Sequence, residues 1–139
     1  MTLHAEEPAN NTILQYELMD VIKPHPGFLG SKERQLMKQG DADNGRKVIF
    51  YVPNSFSHMP RYFREDIELD TCVVTVSPMD KSGYFTFGTN NDYTSTAARY
   101  AKKLIVEVNE NMPRVFGDSL VHISEVDAII ENTVPLVAL

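Results

Sequence analysis

Thr71-Cys72-Val73-Val74-Thr75-Val76 is the stretch that decides the fold of this chain. Its β-branched residues predict a strand, and because the run is apolar without alternation it predicts burial on both faces. Residues 104–108 form a second strand, and a helix capped by Asn91 or Asp92 is predicted before it, running to about Lys103. Strand, helix and strand in this order imply a right-handed parallel crossover. The expected class is α/β, three-layered, with a mostly parallel, open Rossmann-like sheet.

Shorter elements are predicted on both sides of this crossover. Upstream, the end of a strand is predicted at residues 2–4 and a loop over 6–11. A helix follows over 32–38, which Ser31 caps and Gly40 ends, and then a strand over 47–52 that Pro53 ends. A further helix is predicted over 58–64, with Pro60 in its first turn. Downstream, these are an extended arm over 84–87, a strand over 121–123, and a turn capped by Ser124 that contains residues 126–130.

Composition narrows the class of protein. The 139 residues, 42% hydrophobic and 23% charged, suffice for one globular domain. The net charge of −6 argues against a broad basic surface for nucleic acid, and Lys102-Lys103 is interpreted as a solvated helix end. The single cysteine, Cys72, suits a reducing compartment and lies in an apolar run, which indicates a buried thiol rather than a nucleophile. Without a leader pattern or a membrane-spanning run, a cytoplasmic protein that does not enter membranes is expected.

Candidate binding residues lie where the predicted strands end. In a parallel sheet, ligands bind in the crevice at the carboxyl ends of the strands. Three loops leave such ends here, at residues 53–57, 77–80 and 109–113. Their small polar residues and prolines can offer hydroxyls, amides and backbone N–H groups to a carboxylate or phosphate. The topology therefore predicts a site without naming a reaction.

Several common catalytic patterns are missing. There is no phosphate-binding glycine loop, no Gly-x-Gly-x-x-Gly and no Gly-x-Ser-x-Gly, and the four histidines lack metal-ligand spacing. His122 is interpreted as a sheet histidine and His58 as a helix-start residue, although His58 is the better candidate for a base. Asp80 and Asp92 could be paired carboxylates, but a turn residue and a helix cap are preferred. No catalytic residue and no metal ligand is assigned.

Three blocks in register resemble the acetyl-CoA hydrolase/transferase family, which includes 4-hydroxybutyrate and butyryl-CoA:acetate CoA-transferases. They are Val76-Ser77-Pro78-Met79-Asp80-Lys81-Ser82-Gly83-Tyr84 with Gly88 and Asp92-Tyr93; Glu107-Val108-Asn109, Met112-Pro113, Phe116-Gly117-Asp118-Ser119 and Val121-His122-Ile123-Ser124-Glu125-Val126-Asp127; and, more weakly, Tyr51-Val52-Pro53 with Phe56 and Pro60. The resemblance covers residues 47–135 well and 1–46 loosely. His58 departs from the family pattern, so no role is transferred to it.

The resemblance implies an incomplete N-terminal CoA-transferase domain over residues 1–139. In the family, a glutamate attacks an acyl-CoA thioester and a glutamyl-CoA intermediate follows; that glutamate belongs to the later half of the family sequence and matches none of the glutamates here. The implied substrates are acyl-CoA and a short-chain carboxylate, with no covalently bound cofactor. The implied partners are the C-terminal catalytic half and further copies in a homo-oligomer, without nucleic acid. The residues expected to line the acyl and carboxylate pocket are Asn54, Ser77, Pro78, Asp80, Gly83, Tyr84 and Asn109.

Two other interpretations remain open from the sequence. The apolar residues 134–139 could be a surface that requires a partner, which would suit a non-catalytic α/β binding or assembly module. The same residues could instead pack across their own sheet. An independent nucleotide-binding domain is disfavoured by the missing glycine-rich loop.

Overall fold

A computed structural model describes residues 1–4 and 13–136 of the chain. By its internal contacts the chain divides into two compact units, Met1–Phe56 and Ser57–Leu139. The sequence prediction of a loop over residues 6–11 lies outside the described residues.

The described part of the first unit is built around one helix. Strands β1 (Thr2–Leu3) and β2 (Lys23–Pro24) pair in parallel, a 3-10 turn spans Tyr16–Leu18, and helix α1 spans Ser31–Ala42. The residues of its buried core are Leu14, Met19, Ile22, Leu36, Val48 and Ile49. The short strand expected at the start of the chain is confirmed.

Helix α1 continues past the residue that was expected to end it. Gly40 lies inside the helix, where an added Cβ would lie 2.2 Å from the carbonyl oxygen of Arg46. The glycine is therefore required for a close approach of the chain rather than for the exit of the helix. The left-handed exit is made instead by Asn44, with φ 54°, and Gly45, with φ 71°. Ser31 is the first helical residue and Gly30 is the N-cap, without a side-chain cap bond.

The strand expected at residues 47–52 does not form a ladder. The segment has no regular secondary structure, and its backbone N–H groups at Phe50 and Val52 donate to the carbonyl oxygens of Pro24 and Pro26 at 2.9 and 3.1 Å. Proline has no N–H to return a bond. The pairing is therefore one-sided, which the composition of residues 47–52 alone does not reveal.

The second unit contains the parallel sheet. Strands β3 (Thr71–Val76), β4 (Tyr84–Thr86), β5 (Lys103–Val108), β6 (Leu120–His122) and β7 (Ala128–Glu131) occur in chain order. β3, β5 and β7 lie side by side in parallel, and β4 and β6 form an antiparallel ribbon. Helix α2 (Met59–Arg61) is extended by a π-helical turn, Tyr62–Asp66, and helix α3 spans Thr94–Tyr100. The buried core consists of Met59, Phe63, Cys72, Val74, Val76, Phe85, Phe87, Ala97, Ala98, Leu104, Val106 and Val121.

The parallel pairing of β3 with β5 confirms an α/β fold with a mostly parallel sheet. Their bounds agree with the predicted strands to within one residue. The expectation that β3 is buried on both faces is wrong for the described residues. Cys72, Val74 and Val76 are buried, whereas Val73 between them is 62% exposed. Apolar β-branched residues occupy both faces, so composition does not show which face is covered.

Helix α3 is shorter than predicted and ends well before Lys103. The chain turns extended at Ala101 because the backbone N–H groups of Lys102 and Lys103 bond to the carbonyl oxygens of Leu69 and Asp70. These bonds commit Lys103 to β5, so the pair of lysines is not a helix end. Asp92 does support the start of the helix, since its carboxylate accepts a 2.7 Å bond from the N–H of Thr94.

The turn expected over residues 126–130 is instead strand β7. Asp127 joins this strand to β5, because its N–H donates to the carbonyl oxygen of Leu104 and its carboxylate accepts the N–H of the same residue. Only Ile123–Glu125 forms a helical turn, and His122 rather than Ser124 caps it: the ring Nδ1 of His122 accepts the N–H of Ser124. Local turn signals do not reveal that residues 128–131 pair in parallel with a strand that is distant in the sequence.

Candidate functional site

The carboxyl ends of β3 and β5 meet at one edge of the sheet. The N–H of Asn109, just beyond β5, donates to the carbonyl oxygen of Val76 at the end of β3, at 3.0 Å. The N–H of Asn132, just beyond β7, donates to the carbonyl oxygen of Val108 at 3.0 Å. The loops that follow the three strands are therefore joined by backbone bonds. Two of the three predicted binding loops, 77–80 and 109–113, lie at this edge.

Asn109 links the segments that meet at this edge of the sheet. It is only 1% exposed, and its side-chain Nδ2 donates to the carbonyl oxygen of Val134 at 2.9 Å. Its Oδ1 accepts the N–H of Asn111 at 2.9 Å, and Asn111 also donates to Val134. Each polar group of Asn109 thus has a partner within the chain. It holds three segments together, and direct contact with a substrate stays a prediction.

Ser77 forms a buried polar pair with Thr86. The backbone N–H of Ser77 donates to the carbonyl oxygen of Thr86 at 2.9 Å, and the hydroxyl of Ser77 accepts the N–H and hydroxyl of Thr86. The Ser77 hydroxyl also donates to the carbonyl oxygen of Pro78. Ser77 is almost fully buried whereas Pro78 is exposed, so of the two only Pro78 presents a surface from this loop.

Asp80 organises the turn between β3 and β4. One oxygen of its carboxylate accepts the N–H groups of Ser82 and Tyr84, both at 2.9 Å. These bonds, that of Tyr84 first, together with the nearby charge of Arg114, hold the pKa of the Asp80 carboxyl below its ordinary value. Asp80 is a turn residue, as preferred from the sequence, and it is ionised at neutral pH.

Gly83 completes that turn, and only glycine fits there. Its φ is +84°, in the left-handed region, and an added Cβ would lie 2.8 Å from Nε2 of His122. The carbonyl oxygen of Gly83 accepts the N–H of Ile123 at 2.9 Å. The turn is therefore packed directly against the end of β6.

Arg114 and His122 belong to this site although the sequence did not assign them to it. Arg114 donates through Nη2 to the second carboxylate oxygen of Asp80 and through Nη1 to the carbonyl oxygen of Tyr84, at 3.2 Å. The ring of His122 packs against that of Tyr84, with centroids 4.8 Å apart and planes inclined by 60°. Arg114 directly follows a predicted strand-end loop, which is the one signal that could have marked it. His122 was correctly placed in a strand.

The remaining candidates are spread over the chain. Asn54 lies in the first unit and is half-buried, whereas the other six predicted site residues lie in the second unit. His58 is exposed at the start of α2. Burial raises the pKa of the Cys72 thiol to about 11, which fits an inert core residue and not a nucleophile.

Within residues 1–4 and 13–136, no group of three or more histidine, cysteine, aspartate or glutamate side chains could hold a metal ion. None of the helices found there has the length and apolar character required to cross a membrane.

Comparison with known protein families gives an extended match. The acetyl-CoA hydrolase/transferase N-terminal domain family matches residues 4–139, and this range includes the segment 4–46, whose motifs resemble the family only loosely. The 4-hydroxybutyrate coenzyme A transferase of Clostridium kluyveri is 42% identical over 113 residues, which are 81% of this chain and 25% of that protein. The succinyl-CoA:cyclohexane-1-carboxylate CoA transferase of Geobacter metallireducens is 41% identical over 118 residues, 85% of this chain and 25% of that protein.

Solved structures agree with these sequence matches. The crystal structure of RipA from Yersinia pestis is 49% identical and superposes with a TM-score of 0.94 over 99% of this chain and 33% of that one. A 4-hydroxybutyrate CoA-transferase from Porphyromonas gingivalis is 26% identical, with a TM-score of 0.70 over 99% of this chain and 36% of that one. The chain thus spans about a quarter of the matched curated relatives and about a third of the matched solved chains.

Proposed function

Because the chain belongs to the acetyl-CoA hydrolase/transferase N-terminal domain family, we propose that it forms the N-terminal part of a CoA-transferase. The enzyme would move coenzyme A between a short-chain acyl-CoA and a carboxylic acid. The observation that carries this proposal is the sequence identity to two proteins named as CoA transferases, which extends over at least four fifths of this chain. In this reading acyl-CoA is a substrate, and no covalently bound cofactor is required.

The reaction proceeds through a covalent relay. A glutamate carboxylate attacks the thioester carbonyl and releases CoA thiolate, leaving a mixed anhydride. The thiolate then attacks the glutamyl carbonyl and releases the first carboxylate, which gives glutamyl-CoA. A second carboxylate attacks this thioester, and the returning thiolate attacks the acyl carbon of the new anhydride, which yields the new acyl-CoA and frees the glutamate. Backbone N–H groups stabilise the oxyanion that develops at each attack.

The attacking glutamate lies outside this chain in the proposed enzyme. Glu125 accepts the N–H of His122 in a capping box, and Glu107 accepts a 3.4 Å bond from the hydroxyl of Thr75. These contacts give both carboxylates roles within the fold. Glu110 is exposed in the loop after β5. By the family resemblance, none of these three glutamates matches the nucleophile.

The chain supplies one wall of the acyl and carboxylate pocket. The candidates for this wall in the second unit remain Ser77, Pro78, Asp80, Gly83, Tyr84 and Asn109, and Asn54 of the first unit stays a separate prediction. Tyr84 has the properties that suit contact with a small acyl group, since the residue is 38% exposed and its side chain carries both an apolar ring and a hydroxyl. Ser77, Asp80, Gly83 and Asn109 support the wall through the bonds described above.

The alternative is a non-catalytic binding or assembly module that retains this scaffold. The exposure of all four residues of β7, with Ile130 50% exposed, is the observation that favours it, since an apolar edge strand is suited to pairing with another chain. Residue 134 at the start of the apolar tail is likewise exposed, and residues 137–139 lie outside the described part.

A CoA-exchange assay separates the two functions. Residues 1–139 alone, incubated with butyryl-CoA and acetate, are expected to form no acetyl-CoA, because the chain has no attacking carboxylate. A polypeptide that continues this reading frame to the length of the relatives is expected to form acetyl-CoA. Exchange by residues 1–139 alone would contradict the proposed location of the nucleophile, and no exchange by the longer polypeptide with any short acyl-CoA would favour the assembly module.

A further inference from the structure

We infer that Arg114 is a positioning residue that sets how well the enzyme discriminates between acyl chains of different length. It does so by tying the loop after β5 to the turn that presents Tyr84. We call the latch the set formed by Arg114, the carboxylate of Asp80 and the backbone of Tyr84. This inference rests on the proposed function, and it adds to that function a residue that touches neither acyl group nor glutamate.

The latch joins the loop after β5 directly to the turn before β4. The other bonds of that loop to this hairpin are made beyond the turn, from Val115 to the hydroxyl of Thr86 and from Thr89 to the thioether of Met112. Arg114 donates from its two Nη groups to different acceptors, the carboxylate of Asp80 and the carbonyl oxygen of Tyr84. A guanidinium can do this because its donors form a rigid planar fork. The side chains of Arg114 and Asp80 are both about one-third exposed, at 33% and 34%, so both charges are partly shielded from water.

The turn leaves Tyr84 little freedom within the latch. Its N–H donates to the carboxylate of Asp80, and its carbonyl oxygen accepts the N–H of Asp80 at 2.9 Å as well as Nη1 of Arg114. Its ring packs on His122, and the ring of His122 is held in turn by a 2.7 Å contact between Nδ1 and the hydroxyl of Ser124. Tyr84 is thus held through both polar groups of its backbone and through the contact of its ring with His122.

A fixed wall is what chain-length discrimination requires. One methylene more or less in a tight apolar pocket changes kcat/KM by about 10- to 200-fold, and this ratio shrinks when the wall can yield. The lowered pKa of Asp80 keeps its carboxylate charged at neutral and mildly acidic pH, so the latch stays closed under ordinary assay conditions. Loss of Arg114 leaves the turn its own bonds and leaves the bonds of the loop after β5 to Thr86 and Thr89, but it removes the direct tie from that loop to the turn.

The test compares variants of the longer polypeptide with acetyl-, propionyl- and butyryl-CoA. In Arg114→Ala we expect the ratio of kcat/KM between the preferred acyl-CoA and its neighbour to fall about tenfold, mainly through KM. Arg114→Lys is expected to keep part of the ratio, because an ammonium can reach Asp80 but cannot bridge to Tyr84 at the same time. If Arg114→Ala does not fold, the lysine variant decides, since an unchanged ratio there overturns the inference.

Arg99→Ala is the matched control. Arg99 is 35% exposed and makes an ion pair with Asp118 at 2.7 Å, so it resembles Arg114 in burial and charge but is not part of the latch. Its variant is expected to keep the wild-type ratio. An equal loss of kcat for all three acyl-CoAs in Arg114→Ala, with the ratio unchanged, would show a merely structural role and overturn the inference. Absence of exchange in the wild-type polypeptide would overturn the proposed function and this inference with it.

Discussion

Replacing Gly88 by alanine is expected to lower the free energy of unfolding by about 2–5 kcal/mol. Gly88 follows β4 and is buried with φ +57°, in the left-handed region. An added Cβ would lie 2.2 Å from Sδ of Met112 and 2.9 Å from the carbonyl oxygen of Pro113. The estimate combines backbone strain with overpacking. Urea unfolding followed by circular dichroism measures it.

The crowding at Gly88 matters because Met112 belongs to the loop after β5. The thioether of Met112 accepts the N–H of Thr89 at 3.4 Å and lies in the space that a side chain at position 88 would fill. Gly117→Ala is the control: its φ is +87°, but nothing lies within 4 Å of an added Cβ. It should lose only the backbone term, about 1–2 kcal/mol. Equal losses in the two variants would show that Met112 yields freely and that the loop is not held by this contact.

Replacing Asn109 by alanine is expected to lower the free energy of unfolding by about 2–4 kcal/mol. The substitution removes two side-chain hydrogen bonds from a residue that is 1% exposed, and it leaves a polar cavity at the joint of three segments. In the longer polypeptide, CoA exchange should fall as well, because the segment at Val134 loses a bond that holds it to the strand ends. Urea unfolding and the exchange assay measure the two effects.

Asn111→Ala is the companion variant for Asn109. Asn111 also donates to the carbonyl oxygen of Val134 at 2.9 Å, but it is exposed and water can replace that bond. Its loss should be below about 1 kcal/mol. If both asparagine variants lose the same free energy, the bond to Val134 and not the burial of Asn109 determines stability at this edge.

The sequence predicted β3 and β5 well because both are uninterrupted runs of β-branched and apolar residues. Their parallel pairing followed from the helix between them and the handedness of crossovers. β7 was missed because residues 126–130 follow a capped turn, and the bond between Asp127 and Leu104 that makes them a strand spans a long stretch of sequence. The extent of α1 was missed because Gly40 has a packing reason that only tertiary structure reveals.

The sequence predicted where in the fold the candidate site lies, but it predicted few of the contacts between the residues of that site. Parallel topology alone brought the loops after β3 and β5 to one edge. The proximity of Tyr84 to His122 depends on the register of β4 with β6, in which these two residues are direct partners. The bridge from Arg114 to Asp80 depends on the path of the loop after β5. Local composition predicts neither the register of β4 with β6 nor the path of the loop after β5, so Arg114 could not be assigned from the sequence.

Mapping the covalent intermediate tests the central claim most directly. The longer polypeptide is incubated with butyryl-CoA alone, digested under mildly acidic conditions and searched by mass spectrometry for peptides that carry CoA in thioester linkage. We predict the thioester on one glutamate beyond Leu139, and none on the acidic residues of the chain described here. A CoA thioester on any aspartate or glutamate between Met1 and Leu139 would contradict that claim.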